Sequence, residues 1–195
     1  MSGRRVKVGI LISGRGSNMS ALIAAAKAED FPAEIALVIA NVPGAGGLEA
    51  ARAEGVQAMA IDSRPFGKDL QAHEQAMDEA LRQAGVEVIC LAGFMRLLTP
   101  WFVDAWSGRM LNIHPSLLPA YKGLHTHARA IEAGEAEAGC SVHIVTADLD
   151  NGPVLGQARV PVLPGDDEAS LAARVLKEEH RLYPKCLAEF CRTMA

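Results

Sequence analysis

The stretch Val6-Lys7-Val8-Gly9-Ile10-Leu11-Ile12-Ser13-Gly14-Arg15-Gly16-Ser17-Asn18 decides the fold class. Its apolar run lacks the alternation of a half-buried strand and suits one covered on both faces. Gly14 and Gly16 then allow a tight turn, and an Ala-rich stretch over 17–27 has helical character. A strand that hands the chain to a helix through a short turn is the first half of a right-handed crossover. The alternation continues outward: a strand over 35–40 and a helix near 47–54, a strand over 57–61 and a helix near 68–83, then strands over 86–92 and 109–113. This pattern predicts an α/β fold with a mostly parallel sheet and helices on its faces.

After Pro119 the pattern changes. A helix near 126–133 leads to a strand over 140–146, an Asp-rich turn and a strand over 154–162 that contains Gly156. Two strands joined by a short turn predict an antiparallel extension of the sheet. From Asp166 the chain is helical again, with Asp167 and Glu168 in the first turn and Leu171, Val175 and Leu182 as an apolar stripe. No linker, repeat or low-complexity tract interrupts it, so residues 1–195 read as one domain with halves at about 1–105 and 106–195.

Half of the 195 residues are apolar and 22% are charged, as in an ordinary globular chain. The formal charge of −4, with no basic run, argues against nucleic-acid binding. The apolar segment at 8–12 is too short for a signal-peptide core or a membrane span. A cytoplasmic protein is expected, with Cys90, Cys140, Cys186 and Cys191 as free thiols.

The turn at 13–18 suits a phosphate. Ser17 and Asn18 offer side-chain donors beside the free amides of a helix N-terminus. No Lys-Ser/Thr follows, so it is not a Walker A loop, and Met19 stands where a dinucleotide fingerprint needs a third glycine. A monophosphate fits better than a di- or triphosphate. The competing reading is a tight turn with a serine cap.

Met110-Leu111-Asn112-Ile113-His114 delivers an amide and an imidazole to one side of a strand end, and Pro115 and Pro119 then stop regular structure. Asp148-Leu149-Asp150-Asn151-Gly152-Pro153 closes the turn between the two late strands. Asp and Asn fill such turns for local reasons alone, but a carboxylate near His114 would favour the imidazolium and fix its orientation. Asn112 and His114 then donate to an oxyanion, and Asp150 holds the histidine and receives a proton. No serine or cysteine is placed as a covalent nucleophile, so direct attack by a bound amine is the simpler chemistry. His125, His127 and His143 match neither HExxH nor a Cys/His finger. They are expected to hydrogen-bond and shape the loop after Pro119 rather than hold a metal; His73 and His180 stay unassigned.

Several motifs together carry a resemblance: Ile-Ser-Gly-x-Gly-Ser-Asn at 12–18, Leu-Ala-Gly-Phe-Met-Arg at 91–96, Leu-Asn-Ile-His-Pro-Ser-Leu-Leu-Pro at 111–119 and Gly-Leu-His-Thr-His at 123–127. Gly-Cys-Ser-Val-His at 139–143 and Leu-Asp-Asn-Gly-Pro-Val at 149–154 complete the set. Over about residues 6–185 the chain resembles the phosphoribosylglycinamide formyltransferase (glycinamide ribonucleotide transformylase) family. The resemblance implies a Rossmann-like formyltransferase fold. It also implies transfer of a formyl group from 10-formyltetrahydrofolate to the amine of glycinamide ribonucleotide in purine synthesis, without a metal.

By the same resemblance Asn112, His114 and Asp150 are catalytic, and Gly16, Ser17, Asn18 and Glu179 bind the ribonucleotide. Met95, Arg96, Leu97, Leu98, Val103, Met110, Asn112, Val145 and Asp148 line the folate cleft. An apolar slot with a few backbone partners suits a flat heterocycle, and Arg96 suits an anionic folate tail. A monomer or homodimer is expected. Some relatives carry Lys or Gln one turn before the late Glu; here Leu176 stands there, beside Lys177, and Arg15 lies inside the phosphate loop.

Related formyl enzymes are the rivals. A methionyl-tRNA formyltransferase would carry an RNA-binding domain and a basic surface, and a formyltetrahydrofolate deformylase a regulatory domain in front. An ATP-dependent transformylase would show ATP motifs. A folate- or nucleotide-binding module would have no use for an oxyanion donor beside a carboxylate.

Overall fold

The computed structural model describes residues 4–194. Its seven strands are β1 (Val6–Ile12), β2 (Ala33–Ala40), β3 (Ala58–Ala60), β4 (Val88–Leu91), β5 (Met110–His114), β6 (Glu137–Ile144) and β7 (Val154–Pro161). Six α-helices accompany them: α1 (Ser17–Ala26), α2 (Gly46–Ala53), α3 (Leu70–Gln83), α4 (Pro100–Ala105), α5 (Thr126–Glu132) and α6 (Glu168–Arg192). One sheet runs β3-β2-β1-β4-β5-β6-β7. The first five strands pair in parallel, and β6 and β7 join antiparallel, as expected.

Strand periodicity divides the core into two layers. Val8, Ile10, Ile12, Val38, Val88, Cys90 and Leu111 point to a face covered by α1, α2 and α6. Leu11, Leu37, Ile39, Ile89, Leu91 and Met110 point to the opposite face, under Met77 and Leu81 of α3 and Phe102, Val103 and Trp106. Coverage on both sides is why these strands read as unbroken apolar runs.

α6 binds the two halves together. Asp167 caps it in a reciprocal box with Ser170, and it continues through Pro184 to Arg192. The Tyr183 hydroxyl, fully buried, faces the carbonyls of Leu91 at 2.8 Å and Leu111 at 3.1 Å, on neighbouring strands. Among the described residues no helix is long and apolar enough to cross a membrane.

Three expectations need correction. The strand over 57–61 is only three residues long. β6 begins at Glu137 rather than Cys140, because Glu137, Ala138 and Gly139 pair with Pro161, Val160 and Arg159 of β7 despite their modest strand preference. α4 and a 3-10 turn at Arg64–Phe66 were not anticipated. Both have proline in their first turn, and α4 is too short for a helical period to emerge.

Candidate active site

The turn after β1 forms without the serine cap of the competing reading. Gly16 occupies the cap position of α1 at φ 69°, with no side-chain oxygen bonded to the first turn. A left-handed cap disfavours any residue with a Cβ, and the first-turn amides keep their capacity for an anion. Ser17 is exposed there. Asn18 turns inward and its Nδ2 donates to Glu179 Oε2 on α6 at 2.9 Å. Two residues named for the ribonucleotide thus touch across 161 positions. Asn18 Oδ1 is buried with no hydrogen-bond partner. Burial pushes the Glu179 carboxyl above the usual carboxylate range, opposed by the Asn18 amide and by His180 and His114. Arg15 and Lys177 are exposed.

Two strands along the same edge of the sheet, at the end of β5, Asn112 and His114 share a face with Met110, as the period of two requires. The expected carboxylate reaches them. Asp150 Oδ2 lies 3.4 Å from His114 Nδ1 and accepts from the Gly123 amide at 2.9 Å. His114 Nε2 lies 2.9 Å from the Tyr121 carbonyl, so both ring nitrogens face acceptors and the imidazolium can donate to both. The 3.4 Å separation is longer than a tight charge-assisted bond and leaves room for adjustment around a ligand.

The role of His143 was missed beyond a general loop-shaping expectation. It lies directly across from Asn112 in the β5–β6 pairing. Its Nδ1 is 3.1 Å from the Ile144 carbonyl and its Nε2 is 3.3 Å from Asn112 Nδ2. The neutral Nδ1–H tautomer satisfies both contacts and orients the Asn112 amide. Burial holds this imidazole below the usual histidine range, against the Ile144 carbonyl and Asp150, while His114 pushes it further down. Its Nε2 also lies 3.7 Å from Asp150 Oδ1. The cue available in the sequence was the antiparallel partner of a residue already singled out.

His125 and His127 do not tie the loop after Pro119. His125 starts α5 in the left-handed region and is exposed, and His127 Nδ1 is buried without a partner. The loop is held instead by Ser116 to the Ala120 carbonyl, Thr126 to the Pro115 carbonyl, and Arg129 to the carbonyls of Lys122 and Leu124. Backbone strain gathers here. Among the described residues the positive-φ non-glycines are Tyr121, His125 and Asp150, all in the two loops that meet at the His114–Asp150 pair. Gly152 permits that turn, since a Cβ there would stand 1.7 Å from the Ile144 carbonyl oxygen.

The folate candidates fall into two groups. Leu98, Val103, Met110 and Val145 belong to one apolar cluster, with Val103 and Met110 buried beneath the surface. Met95 and Leu97 project from it, 71% and 72% exposed. Arg96 is half-buried and Asp148 is exposed in the turn before Asp150. A pocket of about 80 Å³ lies elsewhere, between Leu117, Tyr121, His127 and Gly139. Asn112, His114 and Asp150 do not line it; His114 and Asp150 are buried and Asn112 is partly buried.

The family model for formyl transferase matches residues 6–187. The crystal structure of phosphoribosylglycinamide formyltransferase from Brucella melitensis superposes with a TM-score of 0.92, at 53% identity over 96% of each chain. Phosphoribosylglycinamide formyltransferase of Escherichia coli (strain K12) is 46% identical over 186 residues, which is 93% of this chain and 85% of that one. The trifunctional purine biosynthetic protein adenosine-3 of Drosophila melanogaster is 47% identical over 190 residues. The match covers 96% of this chain but only 14% of that much longer relative.

Proposed function

The chain belongs to the formyl transferase family, and from that premise we propose that it transfers the formyl group of 10-formyltetrahydrofolate to the amine of glycinamide ribonucleotide. The observation that carries this reading is the convergence of Asn112 and His114, at the end of β5, with Asp150 of the β6–β7 turn, within electrostatic reach of the Asn18–Glu179 pair. One end suits a phosphorylated acceptor and the other an acyl transfer.

The ribonucleotide phosphate docks on the amides and side chains of residues 16–18, with Glu179 against its sugar or amide. The folate lies across Leu98, Val145 and the residues around them, with Arg96 toward its anionic tail. The neutral amine attacks the formyl carbon, and the carbonyl electrons move onto oxygen. The Asn112 amide donates to that oxyanion, and the Nδ1–H of His114, which faces Asp150 in the free chain, is shared between the carboxylate and the oxyanion. Asp150 takes the proton lost by the attacking nitrogen. Collapse re-forms the carbonyl and breaks the bond from carbon to the folate N10, which takes the proton back from Asp150 and leaves as tetrahydrofolate, and the N-formyl ribonucleotide remains. Four buried free thiols support a reducing, cytoplasmic setting.

The test is turnover of 10-formyltetrahydrofolate with and without glycinamide ribonucleotide. Formyl transfer that needs the amine is expected. Deformylation without it would make the chain a hydrolase, and no turnover in either case would favour a binding module. Asn112→Ala or Asp150→Ala should lose about 10²–10³ in rate; near-normal turnover in both would overturn the assignment.

A further inference from the structure

β1 lies at the point where the sheet order reverses. The chain moves from β1 to β2 and β3 on one side and returns to place β4 on the other. Loops that follow β1 and β4 therefore diverge, and ligands settle in the crevice between them.

Ser13, the first residue after β1, bridges that crevice. Its hydroxyl donates to Asn41 Oδ1 at 2.6 Å and accepts from the Met95 amide at 2.8 Å. Asn41 is the first residue after β2. It is buried, with its amide 3.4 Å from the Ile12 carbonyl and its own carbonyl accepting from the Ser63 amide at 3.1 Å. A hydroxyl has one proton, and committing it to this fixed amide turns a lone pair toward Met95. Ser13 thus holds the root of the 14–18 loop and the middle of the 93–98 loop with one oxygen atom.

The 93–98 loop has a second anchor of a different kind. The Thr99 amide donates to Glu74 Oε1 at 2.7 Å, and the Thr99 hydroxyl donates to the same carboxylate. Glu74 is buried on α3, so this contact fixes the loop without reference to the 14–18 loop.

We propose that Ser13 is a positioning residue that couples the two substrate sites, a step that rests on the formyl-transfer reading. A phosphate that orders the 14–18 loop stiffens, through Ser13, the loop that carries Met95 to Leu98 and receives the folate. By linkage, folate binding tightens the hold on the ribonucleotide by the same factor.

Calorimetric titration of the full chain with tetrahydrofolate, with and without saturating glycinamide ribonucleotide, measures that factor. In the parent chain the ribonucleotide should tighten folate binding ~5-fold or more. Ser13→Ala should bring the ratio to within about twofold of one, and Ser13→Thr, which keeps the hydroxyl, should restore it. Glu74→Gln should weaken folate binding equally in both titrations and leave the ratio intact, as loss of a merely structural anchor would. Should Ser13→Ala fail to fold, Ser13→Cys carries the same expectation with a weaker acceptor of similar size. A parent ratio of one, or an undiminished ratio in the serine variants that lack a hydroxyl, overturns the inference alone. A parent chain that binds neither ligand overturns the formyl-transfer reading and this inference with it.

Discussion

Glu179 has a carboxyl that the fold holds out of water. Burial raises its proton affinity, and the Asn18 amide, His180 and His114 oppose that rise without cancelling it. The folded chain therefore keeps this proton to higher pH than the unfolded chain does. Its contribution to stability is full below the unfolded pKa and is lost as pH rises through the folded one. Glu179→Gln removes that loss and keeps an acceptor for Asn18. The variant should melt above the parent at about pH 8, with the difference closing toward about pH 4. A difference that stays constant across that range would show that ionisation of Glu179 is not its source. If Glu179 contacts the ribonucleotide as proposed, the same variant should also bind that ligand more weakly. Asn112, His114 and Asp150 were legible in the sequence because each has a polarity out of keeping with its neighbours: two end an apolar strand, and one stands in a Gly-Pro turn. His143 was not, since a histidine on a strand declares its face only when the pairing register is known. Asn18 shows the same limit, because its partner is fixed by how α6 crosses α1.

At the scale of elements, α6 links the site to the sheet. One turn beyond Glu179, Tyr183 places its hydroxyl between the Leu91 and Leu111 carbonyls, and residue 112 follows directly in β5. Burial drives the Tyr183 phenol well above its usual range, so it stays a donor. Tyr183→Phe keeps the ring's packing and removes that donor from a dry site. The loss should be about 1–3 kcal/mol, the cost of leaving buried carbonyls short of a partner. It should appear as a lower urea midpoint at unchanged slope; an unmoved midpoint would mean that the clip contributes nothing. β1, α1 and α3 were readable because each expresses a full period of its own pattern. The early start of β6 and the brevity of β3 were not, because pairing partners set them rather than local preference. α4 did leave a cue, a Thr-Pro start at 99–100 in which proline fills the first helical position.

For the whole molecule, the parallel half and the antiparallel extension share their core. Leu171, Val175, Tyr183 and Leu187 of α6 stand in the same apolar cluster as Val8 and Ile10 of β1 and Leu22 of α1. The packing crosses the division expected at about residue 105. Alternation of strands and helices made the sheet legible, but not the return of a C-terminal helix onto the first one, since nothing local in either helix names its partner. If the halves depend on each other in this way, they unfold together. Trp101 and Trp106, in and just after α4, report by fluorescence on the apolar cluster they share with Leu11, Ile39 and Met77, and far-UV circular dichroism is weighted by the 25 residues of α6. The two signals should give one coincident urea transition. A fragment of residues 1–105 should show no cooperative transition, because it leaves the α6-facing side of β1, α1 and β4 open to water. Separate midpoints for the two signals, or a cooperative transition in the fragment, would mean that the N-terminal half is a domain in its own right and that α6 only docks on it.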